Sequence, residues 1–320
     1  MKKSLNIIVE IANAHQGNPN VALSLARAAA KAGASSVKFQ IYSAHELLTQ
    51  NHPRYAHFNE QAFSEEVWNW LLPESKSLGI EVYADVFGHE ALKIAIKHSL
   101  DGIKIHSSDL INTTLLDEVA LFDGKVFLAI GGSSLMEIKY ALDHVSKFER
   151  PAEIILMHGF QAYPTKVEDS KLERFNSLKE LFSENLSLGY MDHVDADSLY
   201  SSILPLLSIP YGVSYIEKHI TFERSKKGVD YYSSMEPEEL HEFIKLIDVA
   251  VNALGNNPLN FSNSEKYYRD TVKKSWVVDG PMKAVQDISR KNLVMKRTPG
   301  NIPPPNFDEI VGQKLIYDIE

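Results

Sequence analysis

Eight short apolar runs, each followed by a segment of helical period, fill the chain up to Gly255, and no other feature limits the fold as much. The strand-type runs fall at Leu5–Ile11, Ser36–Gln40, Glu81–Ala84, Gly102–Ile105, Lys125–Ile130, Glu153–Met157, Leu186–Tyr190 and Ser214–Lys218. Helical patterns lie between them at Val21–Ala32, Glu65–Leu78, His89–His98, Thr114–Phe122, Ser134–Val145, Ser170–Leu181 and Asp197–Leu207, and Pro237–Leu254 follows the last run. Parallel strands need a crossover to return the chain, and a helix is the usual one. Eight such units within about 255 residues predict an α/β protein, a closed (β/α)8 TIM barrel. An open doubly wound sheet competes, but the first run leads into ANAHQGNPN and not into a G-x-G-x-x-G turn.

After Gly255 the pattern changes. Asn256–Ser264 is rich in Asn, Pro and Ser, a linker signal. Short β-like runs then follow at Ser275–Val278 and Leu293–Lys296, around the turn-rich KRTPGNIPPPNF. The expected organisation is a barrel over 1–256, a linker over 257–272 and a small β-rich domain over 273–320. A module of about 50 residues has little core of its own and gains from docking.

The chain has no cysteine, which removes thiolate nucleophiles, disulfides and Cys-based metal sites. A metal would have to be held by His, Asp, Glu or water. The net charge of −9 argues against a nucleic-acid or anionic-membrane surface. MKKSLNIIVEIANAH breaks its apolar run with Asn6 and Glu10, so it does not read as a signal peptide. No stretch approaches the roughly 20 apolar residues of a membrane span. The expectation is a soluble cytoplasmic protein.

Barrel chemistry sits at the C-terminal strand ends. Those ends carry Glu10, Asn13 and His15; Lys38 and Gln40; Asp85; Lys104, Ser107 and Asp109; His158 and Gln161; Asp192 and His193; and Glu217, Lys218 and His219. Buried charge is costly unless paired, so polar groups on seven of eight strands point to a site. His193 and His219 end adjacent strands and can reach one divalent ion, with Glu10 able to complete an N,N,O set. Each histidine taken alone reads equally as a hydrogen-bonded structural residue. Lys38 and Lys104 interrupt apolar strands, either as internal ion pairs or as cations for an anionic substrate. Lys218 alternates away from His219 and reads as structural. Asp192 reads as an orienting group for His193 or as a helix cap. Trp68 and Trp70 read as packing, and Tyr231 and Tyr232 as either packing or site.

In order, VEIANAHQG, AGASSVKFQ, IKIHSSD, MHGFQAYPT, GYMDHV, YIEKHIT, DYYSSMEP and ALG resemble the N-acetylneuraminate (sialic acid) synthase family, which includes legionaminic and pseudaminic acid synthases. NLVMKRTPGNIPPPNFDEIVGQKL resembles that family's C-terminal antifreeze-like (SAF) domain. The resemblance implies condensation of phosphoenolpyruvate with an N-acyl amino sugar, with phosphate release and a manganese- or magnesium-type ion. It implies that His193 and His219 bind the metal, that Glu10 serves the metal and acceptor end, and that Lys38, Lys104 and Ser107 surround phosphoenolpyruvate. Asp109 stands at a usual Glu and is implied to be catalytic. Gln40, Gln161, Tyr163, Asp192 and Asp230 are implied to bind substrate. Arg297 is implied to reach a barrel mouth from a partner subunit in a domain-swapped homodimer. The helical segment Tyr42–Trp70 is a candidate for shaping the acceptor pocket.

Four departures cluster at the phosphate end. The family's STPF is ADVF, placing Asp85 at a hydroxyl; STG is AIG, with Ala129 and Ile130; Gln161 replaces Asn or Ser; and Met191 replaces Ser. An added Asp repels an anionic ligand unless it is protonated or paired. The alternatives are therefore a metal-dependent aldolase or lyase on an α-keto sugar acid without phosphate chemistry, or a non-catalytic sugar-binding homologue.

Overall fold

The computed structural model describes residues 5–148, 150–162, 164–182, 186–255, 259–298 and 307–320. The chain runs β1 Asn6–Glu10, α1 Pro19–Ala32, β2 Ser36–Tyr42, α2 Ala44–Leu47, α3 Tyr55–Gln61, α4 Glu65–Lys76, β3 Glu81–Phe87, α5 His89–Lys97 and β4 Gly102–Ile105. It continues through α6 Thr113–Val119, β5 Lys125–Ala129, α7 Leu135–Val145, β6 Glu153–His158, α8 Arg174–Phe182, β7 Ser187–Met191, α9 Tyr200–Ser208 and β8 Tyr215–Ile220. A two-residue strand β9, Ser234–Met235, and α10, Pro237–Leu254, complete the first unit. Strands β1 to β8 pair in parallel in sequence order, and β1 closes on β8 with Glu10 opposite His219. This is the expected (β/α)8 barrel.

Local signals set the helix ends. Asn18 accepts from the N–H groups of Asn20 and Val21 with Pro19 in the first turn, and Gly33 at φ 100° ends α1; these are the favoured cap residues. Ser134 and Glu137 form a reciprocal capping box at α7. Strand β7 leaves β8 after Met191 pairs Glu217, and β9 takes the vacated edge with His219 opposite Ser234. That strand had no apolar pattern to announce it.

Alternation sorts each strand into two faces. Outward residues such as Val9, Val37, Phe39, Ile103 and Leu128 pack against the helices in the main core. Inward residues Ile8, Tyr83, Phe127, Ile155, Met157 and Tyr215 form a second apolar cluster, the barrel floor. Trp68 packs edge-on to Phe39 and Phe63, as a packing residue should. Among the described residues, no helix is long and apolar enough to cross a membrane.

The second unit, Gly255–Glu320, contains α11 Asn263–Val272, an antiparallel pair β10 Ser275–Val278 and β11 Leu293–Lys296, and α12 Phe307–Ile310. Helix α11 occupies much of the stretch expected to be linker; Ser262 and Glu265 cap it. The PGNIPPPN turn segment, 299–306, lies outside the described residues.

Candidate active site

The barrel strands bring two lysines and three carboxylates together above the apolar floor. Lys38 Nζ meets Glu10 Oε2, lies 2.8 Å from Asp85 Oδ2 and 3.6 Å from Glu217 Oε2. Lys104 Nζ donates to both Glu217 oxygens at 2.8 and 3.1 Å, and lies 3.4 Å from Asp85 Oδ1. All five side chains are buried, Lys38 completely. Burial pulls Lys38 down to about 8 against the attraction of Asp85 and Glu217. Burial also opposes the charge on Lys104, but Asp85 and Glu217 outweigh it and raise its pKa. Burial would raise Glu217, yet Lys104 and then Lys38 hold its carboxylate well below the usual range. Isolated buried ions are expensive, and only this mutual pairing makes the group tolerable.

Beside the cluster, His193 and His219 face each other with Nε2 atoms 3.2 Å apart. Burial lowers His193 to about 4; burial and the neighbouring His193 lower His219. Both rings are therefore neutral, the form that binds metal. Two imidazoles bound at about 2.0–2.1 Å to one ion would have nitrogens near this separation. The Nδ1 of His193 has no hydrogen-bond partner among the described residues. The pair thus fits two ligands of a divalent ion. No third His, Asp or Glu joins them in a metal-holding group among the described residues. The expected N,N,O set with Glu10 is not formed: its Oε1 accepts from the Ala12 N–H at 2.7 Å and its Oε2 meets Lys38.

Two cavities open at this mouth. The inner, about 350 Å³, is lined by Glu10, Lys104, Ser107, His193, Glu217 and His219, and by one residue from each of the four departures, Asp85, Ala129, Gln161 and Met191. The outer, about 680 Å³, is lined among others by Asn13, Tyr42, Arg54, Phe58, Asp109 and Asp230. Gln40, His106 and Gln161 line both. Gln161 Nε2 donates to Asp230 Oδ1 at 2.9 Å, and burial raises the Asp230 pKa. Gly159 lets the inner wall form: at φ 129°, a Cβ there would lie 2.0 Å from the Met191 carbonyl oxygen.

Several sequence expectations are corrected. Asp192, implied to bind substrate, is turned out of the barrel by alternation, and its Oδ2 receives Lys218 Nζ at 2.5 Å. That same contact makes Lys218 structural, as expected. Asp109 stands apart from the lysines, bonded to Asn112 and Ser108 at the outer cavity. Ile130 faces the helices in the main core. Tyr231 and Tyr232 stack on each other, with centroids 3.9 Å apart. Tyr163 lies outside the described residues, and Arg297 follows β11 in the second unit. Glu217 stands in the strand-end inventory without a role of its own, and Arg54 lies unnamed within the segment Tyr42–Trp70. A site role for Glu217 was findable, since it lies two positions before His219 and shares its face; Arg54 depends on how the long β2–β3 connection folds back.

A closed parallel barrel with a buried ionic cluster and paired neutral imidazoles at its strand ends defines a barrel protein with a built site at the usual catalytic face. The chain belongs to the NeuB family, whose model matches residues 25–258. It is 28% identical to N,N'-diacetyllegionaminic acid synthase of Legionella pneumophila, covering 98% of this chain and 91% of that protein. It is 24% identical to pseudaminic acid synthase of Campylobacter jejuni, covering 99% and 94%. The crystal structure of N-acetylneuraminic acid synthetase from Leptospira borgpetersenii, in complex with citrate, matches with TM-score 0.76 and 29% identity over 85% of this chain and 93% of that one.

Proposed function

We propose that this chain joins a three-carbon enol donor of the phosphoenolpyruvate class to the aldehyde of an N-acyl amino sugar, giving a nonulosonic acid and phosphate. One observation carries the reading: an inner cavity with paired charges and imidazoles adjoins an outer one of about 680 Å³, ample for an amino sugar. The names of the family relatives support the same chemistry. The donor's methylene carbon forms the new bond to the aldehyde carbon, whose oxygen takes a proton. Water adds at the donor's central carbon, and phosphate leaves with its bridging oxygen. Lys104 and Ser107 bind the donor, and Glu217 and Glu10 hold the lysines in place. Asn13, Gln40, Arg54 and Asp230 line the acceptor's side. His193 and His219 would hold a manganese- or magnesium-type ion, which when bound polarises a carbonyl oxygen.

The test is incubation with phosphoenolpyruvate, Mn²⁺ and a panel of N-acyl hexosamines, reading phosphate release and product mass. Silence across the panel defeats the reading. A second reading has its own observation: Asp85, Glu217 and Glu10 already hold both inner ammonium groups. It makes the chain an aldolase or lyase with pyruvate as donor or product, and its signature is chelator-sensitive pyruvate release from a nonulosonic acid.

The reading further takes 273–320 as an antifreeze-like domain, a cytoplasmic domain-swapped homodimer as the working form, and Arg297 from a second copy as a contact to the acceptor. Mixing inactive Arg297→Ala and His193→Ala chains should restore activity through mixed dimers; no restoration removes the swap.

A further inference from the structure

Asp85 contacts both inner lysines at once, through different oxygens, at 2.8 and 3.4 Å. Two ammonium groups here face three carboxylates, Glu10, Asp85 and Glu217, so Asp85 adds a carboxylate beyond one for each lysine. Lys104 also spends its remaining contact on Met191 Sδ at 3.6 Å. Ala129 and Met191 add no hydroxyl donor to the wall. A phosphate entering this cavity therefore meets Lys104 already engaged, with Lys38 buried behind the cavity wall, and drawing an ammonium group toward it leaves a buried carboxylate unpaired.

We infer that Asp85 is a donor-specificity residue, which keeps Lys104, and Lys38 behind it, engaged and so weakens the binding of a phosphorylated donor relative to a three-carbon keto acid bearing a carboxylate alone. The inference rests on the inner cavity being the donor site. Phosphoenolpyruvate carries roughly −2.5 to −3 near neutral pH and pyruvate one negative charge, and electrostatic cost scales with ligand charge. Removing the Asp85 charge should therefore favour the phosphorylated donor far more than pyruvate. That difference of one protein charge is the same whether or not a divalent ion sits at the histidine pair.

The experiment is calorimetric titration of the full chain with phosphoenolpyruvate, pyruvate and inorganic phosphate, with and without Mn²⁺. Asp85→Asn keeps the side-chain volume and removes the charge. It should bind phosphoenolpyruvate at least about tenfold tighter than the native chain and pyruvate less than about threefold tighter. Asp85→Ser, also neutral, carries the same expectation should Asp85→Asn fold poorly, and Asp85→Glu should show no gain. Adding Lys104→Gln to Asp85→Asn should erase the gain, because the freed lysine is its source. Asp143→Asn, on the exposed face of α7, should change nothing. Unchanged or weaker phosphoenolpyruvate binding in well-folded neutral variants overturns the inference, as does an equal gain for pyruvate. Titration needs no turnover: a gain in phosphoenolpyruvate affinity without product from any amino sugar would sink the synthase reading and leave the role of Asp85 standing.

Discussion

Lys38 and Lys218 are both fully buried lysines on barrel strands, yet strand alternation sends them to opposite sides of the sheet. Lys38 enters the ionic cluster of the lumen, whereas Lys218 ties Asp192 and the Ser201 carbonyl between the sheet and α9. Removing one partner of a buried pair strands the other, at about 3–5 kcal/mol. Lys218→Met should therefore lower the urea-unfolding free energy by about that much while leaving pyruvate affinity unchanged. A change in affinity as large as that caused by Lys104→Gln would contradict the separation of the two lysines. His15 makes a pH prediction. Burial lowers its pKa from 6.5 to about 4, while Phe63 stacks on its ring and Nδ1 accepts from the Gly17 N–H. The folded pKa lies below the unfolded one, so the stability it supports is complete above 6.5 and is lost as pH falls toward 4. Between about pH 7 and pH 5 that loss is on the order of 2 kcal/mol. His15→Gln should flatten the fall of the urea midpoint over this window, and parallel curves would show that His15 is not held neutral.

Strand ends matter more than strand interiors for what this barrel can do. The interiors of β5, β6 and β7 are ordinary apolar runs, but their ends bring Gly131, Gly159 and Met191 into backbone contact at the inner wall. A Cβ on Gly131 would fall 2.2 Å from the Gly159 carbonyl oxygen, so both glycines are required by close approach, and Gly159 also by its positive φ. Gly159→Ala should cost about 2 kcal/mol or more, measured by thermal unfolding, and should weaken donor binding by pushing β7 away. An Ala variant of native stability would mean the wall can give. The elements themselves were readable: β4, β10, β11 and α10 have the boundaries expected from periodicity, because period and cap residues act locally. Strand β9 was not, since its two residues are recruited only by the edge that β7 leaves open.

The barrel closes on its own first strand, and no strand of the second unit joins it among the described residues. A chain ending at Leu254 should accordingly keep a cooperative barrel transition, followed by circular dichroism against urea. A broad, non-cooperative melt would show that the barrel needs the residues beyond. Periodicity, turn residues and the spacing of His193 and His219 were enough to read the barrel and the imidazole pair, because strand order and alternation follow from sequence-local patterns. The folded chain settled what those residues touch. Glu10 and Asp85 are register neighbours of Lys38 and Lys104 on adjoining strands, but Glu217 of β8 reaches both lysines only across the closed barrel. The extended sequence shows Asp85 as a lost hydroxyl; the closed barrel shows a carboxylate bridging two lysines. Pair energies in a dry lumen depend on distances of a few ångströms across strands remote in sequence, and no local pattern encodes them.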